Sequence, residues 1–517
     1  MRGKPDMKVL AMYLPQFHRV KENDMWWGEG FTEWTAVKGA KPLYEGHGQP
    51  RIPQKGNYYN LLEKNTMSWQ WDLMRKYSID GVCIYHYWFK EGKKILEKPA
   101  ENLLRWTDID MPFCFCWANE TWGRSWAKFQ NINVWSDIYE SKNNKKNKGI
   151  LLEQKYGTEQ QWKAHFEYLF PFFCDERYIK KDGKPVFLIY KVEDIYCLAE
   201  MIDCWKELAL ANGLDGIYVI GSDCNERGKT YVDARFCRQP GSSMRKKRFL
   251  THSYDGVHVL KYDDVWEEIL KADMPEDTFF EGFVGYDDTP RRGSVGTVIE
   301  HADPNKFSYY ITELMAKSAA YGKEILFLNA WNEWGEGMYL EPDEQYGEKY
   351  LKAIPYAKKH YRERVEKYLK QRSRTQTDIK EGINSVTTEN DKNLCYMNLL
   401  DHWMTLREKG IFIADWLLKE GHKHVAIYGH GILGRHLYSE LQGSEIQVEY
   451  FIDQQGSSAG AECRTYLPSE KIPEIDIVIV TAVYHYGEIY CKMKDKGIRN
   501  IVSLQTILFE AEELDKA

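Results

Sequence analysis

Two glutamates three residues apart, Glu333 and Glu336, stand where an apolar run ends among tryptophans: Ile325-Leu326-Phe327-Leu328-Asn329-Ala330-Trp331-Asn332-Glu333-Trp334-Gly335-Glu336-Gly337. The run 325–330 has the continuous apolar character of a parallel strand buried on both faces. If the chain turns helically beyond it, an i,i+3 spacing sets the two carboxylates on one side, roughly 5–6 Å apart at Cβ. Paired carboxylates at close range suit glycosidic-bond chemistry, with Trp331 and Trp334 to hold a sugar face and exclude water. The plain alternative is a capping glutamate beside surface acids.

Other candidate groups gather after other apolar runs. Tyr13 and Gln16 close the run that begins at residue 8. A long aromatic loop follows with Trp26, Trp27, Glu33 and Trp34. Tryptophans in a loop either cover a ligand or staple the loop down. His86, Tyr87 and Trp88 end a second run, Trp117, Asn119 and Glu120 a third, and Tyr190 a fourth. His86, Tyr87, Asn119, Glu120 and Asn332 suit sugar hydroxyls, or brace residues that do. Glu33 can hold a hydroxyl or pair with a loop cation. Arg291 and Arg292 can meet an anionic sugar or phosphate, against the commoner fate of a solvated pair. No acidic cluster has metal-site spacing, so no metal is expected.

These groups need a scaffold. Strand-like runs fall at 8–14, 81–85, 111–117, 185–190, 216–221, 231–236, 279–284 and 325–330, with 231–236 the weakest. Helical patterns cover 65–77, 160–173, 195–212 and 350–368. Alternation of strand and helix predicts an α/β fold with an eight-stranded parallel β/α (TIM-type) barrel over 1–368. The polar and aromatic residues follow the strands, and barrel active sites are built at those ends.

A polar, charged segment, 369–393, reads as a linker. The pattern restarts over 394–517 as a small Rossmann-like open α/β domain. Strand 423–428 leads into Gly429-His430-Gly431-Ile432-Leu433-Gly434 and then a helix over 435–442. Further strands are expected at 448–452, 475–481 and 501–504. Gly429, Gly431, Gly434 and Asp453 have the placement of a dinucleotide-binding fingerprint. A nucleotide or nucleotide-sugar is the ligand expected there; the plain alternative is a glycine turn that serves helix–strand packing. The barrel chemistry calls for no cofactor.

Bulk properties set the class. The 517 residues exceed one ordinary core, and the net charge of -7 leaves no footprint for nucleic acid. With 18 Trp and 35 Tyr but a mean hydropathy of -0.59, the chain reads as soluble and rich in flat faces. Its 11 cysteines are odd in number and scattered, which fits free thiols in a reducing compartment. Neither a signal peptide nor a membrane span is evident, so a cytoplasmic location is expected.

The motifs also carry a family resemblance. Leu14-Pro15-Gln16-Phe17-His18, Trp26-Trp27-Gly28, Phe31-Thr32-Glu33-Trp34, Tyr85-His86-Tyr87-Trp88, Trp117-Ala118-Asn119-Glu120, Thr289-Pro290-Arg291-Arg292-Gly293 and Asn329-Ala330-Trp331-Asn332-Glu333-Trp334 appear in order. This series resembles WbsX-type polysaccharide-biosynthesis proteins, which are glycoside hydrolase family 99-like. The segment 236–262 looks short and basic beside the family pattern. The resemblance implies a bacterial carbohydrate-active enzyme with an oligo- or polysaccharide substrate. It implies a configuration-retaining glycosidase or transglycosidase in surface polysaccharide metabolism (O-antigen or lipopolysaccharide, capsule). By the family 99 motif, Glu333 would act as base on the sugar 2-hydroxyl, giving a 1,2-anhydro intermediate, and Glu336 as acid on the leaving oxygen. A direct nucleophilic role for one glutamate stays open. The alternatives are a glycosyltransferase with a nucleotide-sugar donor and a non-catalytic glycan-binding scaffold.

Overall fold

A computed structural model describes residues 6–123, 150–222, 224, 226–244, 250–254, 256–379, 385–454 and 463–514. The described chain forms two compact units, 1–192 with 200–224 and 232–377, and 193–199 with 225–231 and 378–517.

The first unit is built on one large sheet. Along it lie Thr278–Phe279, Ala234–Phe236, Tyr218–Ser222, Lys184–Ile189, Phe113–Trp117, Gly81–His86, Lys8–Tyr13, Ile325–Asn329 and Glu281–Phe283. Every pairing along that path is parallel. The two end strands are separated in the chain only by Phe280, whose carbonyl accepts the Phe327 N–H at 3.0 Å. The sheet thus bends round into a nearly closed barrel. Its strands read Val-Leu-Ala-Met or Ile-Leu-Phe-Leu because helices cover the outer face while side chains fill the inside, leaving little of them for water. The expected strand at 231–236 shrinks to three residues.

Helices follow the strands: Lys64–Lys76, Lys98–Arg105, Glu159–Phe173, Leu198–Ala211, Tyr262–Lys271, Pro304–Ala320 and Lys349–His360. Their ends are specified locally. Asp303 caps Pro304–Ala320, accepting the N–H groups of Asn305 and Lys306 at 2.8 and 3.2 Å, with Pro304 in the first turn. One addition escaped the sequence pattern. A small sheet orders Leu250–Tyr254, Val257–Lys261, Thr297–Glu300 and Tyr286–Asp287. It frames the short helical turn Thr289–Arg292.

The second unit carries five parallel strands in the order Arg464–Tyr466, Gln447–Ile452, His424–Tyr428, Ile477–Val480 and Ile501–Ser503. One face packs Leu399, Trp403, Leu417, Leu437 and Leu508. The other packs Tyr428, Tyr450, Tyr486, Met493 and also Ala199. Tyr196 stacks on Phe509 at 5.0 Å. The segment expected as a linker is helical where it is described, in Val365–Ile379 and Ser385–Glu408. Its Lys, Arg, Gln and Glu residues are good helix formers, so polarity did not disclose the helices; residues 380–384 lie outside the described residues. Among the described residues no helix is long and apolar enough to cross a membrane.

Candidate active site

Beyond Ile325–Asn329 the chain is pinned to the first strand of the barrel. The Trp331 N–H donates to the Met12 carbonyl at 2.8 Å. The Asn332 side chain accepts the Leu14 N–H at 2.7 Å and returns a bond to the Leu14 carbonyl at 3.0 Å. Asn332–Glu333 then pairs antiparallel with Met338–Tyr339, and a single 3₁₀ turn, Trp334–Glu336, closes the tip. Gly337 completes it in the left-handed region, φ 61°. A helical turn thus follows the strand, with Glu333 just before it, outside helical geometry, and Glu336 at its end.

One guanidinium gathers three carboxylates around that turn. Arg291 Nε donates to Glu33 Oε1 at 2.7 Å, Nη2 to Glu333 Oε2 at 2.8 Å and Nη1 to Glu336 Oε1 at 2.5 Å. Glu33 and Glu333 keep 2% and 8% of their side chains exposed; Glu336 keeps 24% and is the most accessible. Burial pushes Glu333 up to about 8; the repulsion of Glu336 and Glu33 adds to this and Arg291 opposes it. Glu336 is raised too, by burial first, with Asp288 and Glu33 adding and Arg291 and Arg292 opposing. Burial would lower Arg291, but the three carboxylates outweigh it and hold it charged.

Arg291 is itself fixed from below. Its N–H and that of Arg292 donate to the Asp288 carbonyl at 3.1 and 3.0 Å. Asp287 accepts from His47 at 2.9 Å, Gln49 at 2.7 Å and the Thr289 hydroxyl at 2.5 Å, partners that hold its carboxyl down against burial. Asp288 accepts from Tyr286 at 3.0 Å and Arg292 at 3.1 Å.

Tyrosines surround the carboxylates. Burial and the charge of Glu333 raise both Tyr85 and Tyr87. Burial likewise raises Tyr190 and Tyr286, with Glu336 a further contributor to each. Tyr85 and Tyr190 meet edge to face at 6.3 Å, and Arg238 lies 3.7 Å over the Tyr190 ring. Neutral phenols beside ionisable carboxylates offer hydroxyls and flat faces to a sugar.

Of the residues picked out from the sequence, Gln16, Glu33, Tyr87, Tyr190 and Arg291 join Glu333 and Glu336. Gln16 Nε2 donates to Glu33 Oε2 at 2.9 Å. Arg291 is paired with the three carboxylates, where the sequence offered an anionic sugar or phosphate or else a solvated pair. Trp26 and Trp27 lie half-exposed on the helix Lys21–Trp27; Trp26 meets Trp122 edge-on at 6.2 Å.

Several others are structural. Trp331 and Trp334 are wholly buried, and Trp334 stacks on Tyr339 at 3.7 Å, so neither offers a sugar a face. Trp34 is buried and donates to the Tyr59 carbonyl at 2.8 Å. Tyr13 donates to Gln70 at 2.7 Å inside the barrel. His86 meets His165, Nε2 to Nε2, at 2.8 Å, and burial drives it down to about 3. Trp88 stacks on His165 at 4.4 Å and Trp117 lies edge-on to it at 4.8 Å. Asn119 clamps the Lys191 backbone at 2.7 Å, and Glu120 pairs with Lys191 Nζ at 2.7 Å.

Sequence reasoning passed over Tyr85, Tyr286, Arg238 and Glu341. Alternation along a strand could have found Tyr85, because 85 and 87 share a face that 86 and 88 do not. Glu341 lies beneath the turn and accepts from Trp334 at 2.6 Å, Gln70 at 2.7 Å and Tyr59 at 2.8 Å. Burial raises it to about 7 in spite of those donors. Among the described residues no cluster of His, Cys, Asp or Glu could hold a metal ion.

In the second unit Gly429 has φ 101°, and Gly431 precedes the helix Ile432–Leu441. A Cβ on Gly434 would come within 2.0 Å of the Gly429 carbonyl oxygen. Asp453 accepts the His430 N–H at 2.7 Å.

The sequence model described as glycosyltransferase WbsX matches residues 9–354. Two uncharacterized WxcX proteins of Xanthomonas campestris pv. campestris, from strains ATCC 33913 and B100, are 30% and 29% identical over 357 residues. These matches cover 67% of this chain and 48% of each relative, so the chain spans about half the length of the curated relatives it matches. A solved family 99 endo-alpha-mannosidase from Bacteroides thetaiotaomicron matches 71% of this chain and 99% of its own, with 15% identity and a TM-score of 0.40. A glycoside hydrolase-like protein matches 69% and 95%, with 13% identity and a TM-score of 0.41.

Proposed function

Because the chain belongs to the WbsX glycosyltransferase family, we propose that it is a carbohydrate-active enzyme that breaks or transfers a glycosidic bond with Glu333 and Glu336 as its working pair. The observation that carries this reading is the joining of both glutamates, on one tight turn after a barrel strand, to a single guanidinium. A shared arginine keeps two carboxyls close. Retaining enzymes hold theirs at roughly 5–5.5 Å, whereas inverting enzymes leave about 6.5–9.5 Å for a water.

In the first step ionised Glu333 takes the proton of the sugar 2-hydroxyl, and O2 closes on C1. The bond from C1 to the leaving oxygen breaks, and Glu336 supplies that oxygen with a proton. In the second step Glu336 takes a proton from water or a sugar hydroxyl, which attacks C1 from the face opposite O2, so that two inversions give net retention. The C1–O2 bond opens and Glu333 returns its proton to O2. Hydrolysis and transfer differ only in the acceptor. Glu336, the more accessible of the two, suits the role that meets both leaving group and acceptor. Glu333, which burial raises, must lose its proton to serve as base while Glu336 keeps one to serve as acid, so the rate should follow a bell-shaped dependence on pH. The setting we propose is surface polysaccharide metabolism. A structure with a mannose-configured iminosugar tests the site: its ring nitrogen should lie between Glu333 and Glu336. Binding at Trp26 and Trp27 alone would favour a glycan-binding scaffold instead.

A second reading concerns the second unit. Its strand order places the first strand centrally, as in Rossmann-like domains, with a glycine loop leading into a helix N-terminus. These features support a nucleotide or nucleotide-sugar ligand there, and with it a transferase rather than a hydrolase.

A further inference from the structure

Glu33 is the one carboxylate of the cluster that this chemistry leaves without a task. Both its oxygens are occupied, Oε1 by Arg291 Nε at 2.7 Å and Oε2 by Gln16 Nε2 at 2.9 Å. Its backbone N–H donates to the Gln16 carbonyl at 3.1 Å, and it opens the helix Glu33–Gly39 behind a Thr32–Thr35 capping box. A Cβ on Gly335 would fall 1.8 Å from Glu33 Oε1 and 2.7 Å from Arg291 Nε, so the catalytic turn itself is shaped to admit this ion pair. With 2% of its side chain exposed, Glu33 offers no oxygen to a sugar.

We infer that Glu33 is a positioning residue: by holding Arg291 Nε it turns the guanidinium so that its two remaining nitrogens each take one glutamate, leaving the second oxygen of Glu333 and of Glu336 to the substrate. Among the described residues those second oxygens take no hydrogen bond. The inference rests on the proposed acid and base roles of the pair. Glu33 also sets the charge balance, because three carboxylates share one cation. Removing its charge leaves more of Arg291 for Glu333 and Glu336, and both ionise more readily. The other groups that face the pair are Asp288 and Arg292, paired with each other at 3.1 Å, and the phenols of Tyr85, Tyr87, Tyr190 and Tyr286, which burial keeps neutral.

The test is a carbon-13 carboxyl NMR titration of the full chain labelled in glutamate, with Glu333→Gln and Glu336→Gln assigning the two signals. In Glu33→Gln, a turned-over Gln16 amide keeps both hydrogen bonds, so only the charge is lost. Both signals should then titrate about one pH unit lower than in the native protein. Unchanged titrations in a folded Glu33→Gln protein would overturn the inference. Glu33→Asp keeps the charge but shortens the reach, so its titrations should move less than those of Glu33→Gln. On any glycan the native enzyme turns over, kcat of Glu33→Asp should fall at least ~10-fold with KM little changed. Native kcat in that variant would also overturn the positioning role. Shifted titrations in a protein that turns over no glycan would sink the proposed chemistry and leave Glu33 as the residue that sets Arg291.

Discussion

The barrel and the second unit each place glycines in a turn after a strand, and they use them for opposite ends. Gly335 makes room for foreign side chains, Glu33 and Arg291, delivered from elsewhere in the fold. Gly434 makes room for the carbonyl of Gly429, five residues back in its own loop. The first turn concentrates three carboxylates on one cation, an arrangement that folding alone does not require and that burial penalises. The second is explained almost wholly by packing: Thr481 Oγ1 donates at 3.0 Å to the carbonyls of Tyr428 and Gly429, and Asp453 takes a backbone N–H. Buried charge without a folding purpose is the stronger sign of function. A glycine pattern that packing accounts for at Gly429 and Gly434 is the weaker one.

The sharpest way to break this comparison is to remove the glutamates one at a time. Glu333→Gln and Glu336→Gln should each lose ~10²–10⁴-fold in kcat on a glycan substrate while staying folded. The losses should not add, since both serve one transition state. An activated aryl or fluoride glycoside should restore much of the first step in Glu336→Gln, because its leaving group needs no proton, and should not restore Glu333→Gln. Rescue of Glu333→Gln alone would exchange the two roles.

The next effect is on stability, and its sign follows from the raised acidity of Glu333. In the unfolded chain this carboxyl ionises near ~4.3; in the fold it ionises at about 8. The folded state therefore binds the proton more tightly, and stability falls as pH rises from the first value to the second. Below that window the group costs nothing; above it the cost is complete. Glu333→Gln should thus stabilise the protein by roughly 1–3 kcal/mol at pH 9 and by much less at pH 4. Denaturant melts at the two pH values measure the difference. A variant destabilised at pH 9 would mean that Arg291 needs Glu333 more than burial penalises it. Gly434→Ala should act in the other direction, destabilising the second unit by roughly 1–3 kcal/mol at any pH, because its Cβ meets backbone rather than a side chain that can move.

The same contrast explains what the sequence could and could not disclose. The strand 325–330 and the turn after it were legible because a continuous apolar run and an i,i+3 pair are local patterns. So was the glycine loop after residues 423–428. What stayed hidden is long-range. Glu33 and Arg291 are 258 residues apart, and no periodicity brings them together. The tryptophans beside the glutamates were given to the substrate by proximity in sequence, whereas alternation and burial assign them to the core. His86 and Trp88 were grouped with Tyr87 although successive strand residues point to opposite faces. Residues 193–199 and 225–231 belong to the second compact unit, with Tyr196 against Phe509, because that contact depends on the fold and not on any pattern along the chain.

The smallest expected effect on stability belongs to Gly431, and it decides whether the second loop has a ligand at all. Among the described residues a Cβ added there meets nothing within 4 Å. The backbone, at φ -74° and ψ -162°, is open to any residue. Packing therefore gives no reason for glycine at this position, unlike Gly434. What a side chain would obstruct is the space before the N-terminus of Ile432–Leu441, where free N–H groups can receive a pyrophosphate. Gly431→Val should leave the melting midpoint almost unmoved, within roughly 0.5 kcal/mol. In the same protein, calorimetric binding of NAD, UDP-sugars or GDP-sugars should fall at least ~10-fold. Native protein that shows no heat with any of the three would leave the loop with packing alone. Native affinity retained in Gly431→Val would move the ligand away from the loop.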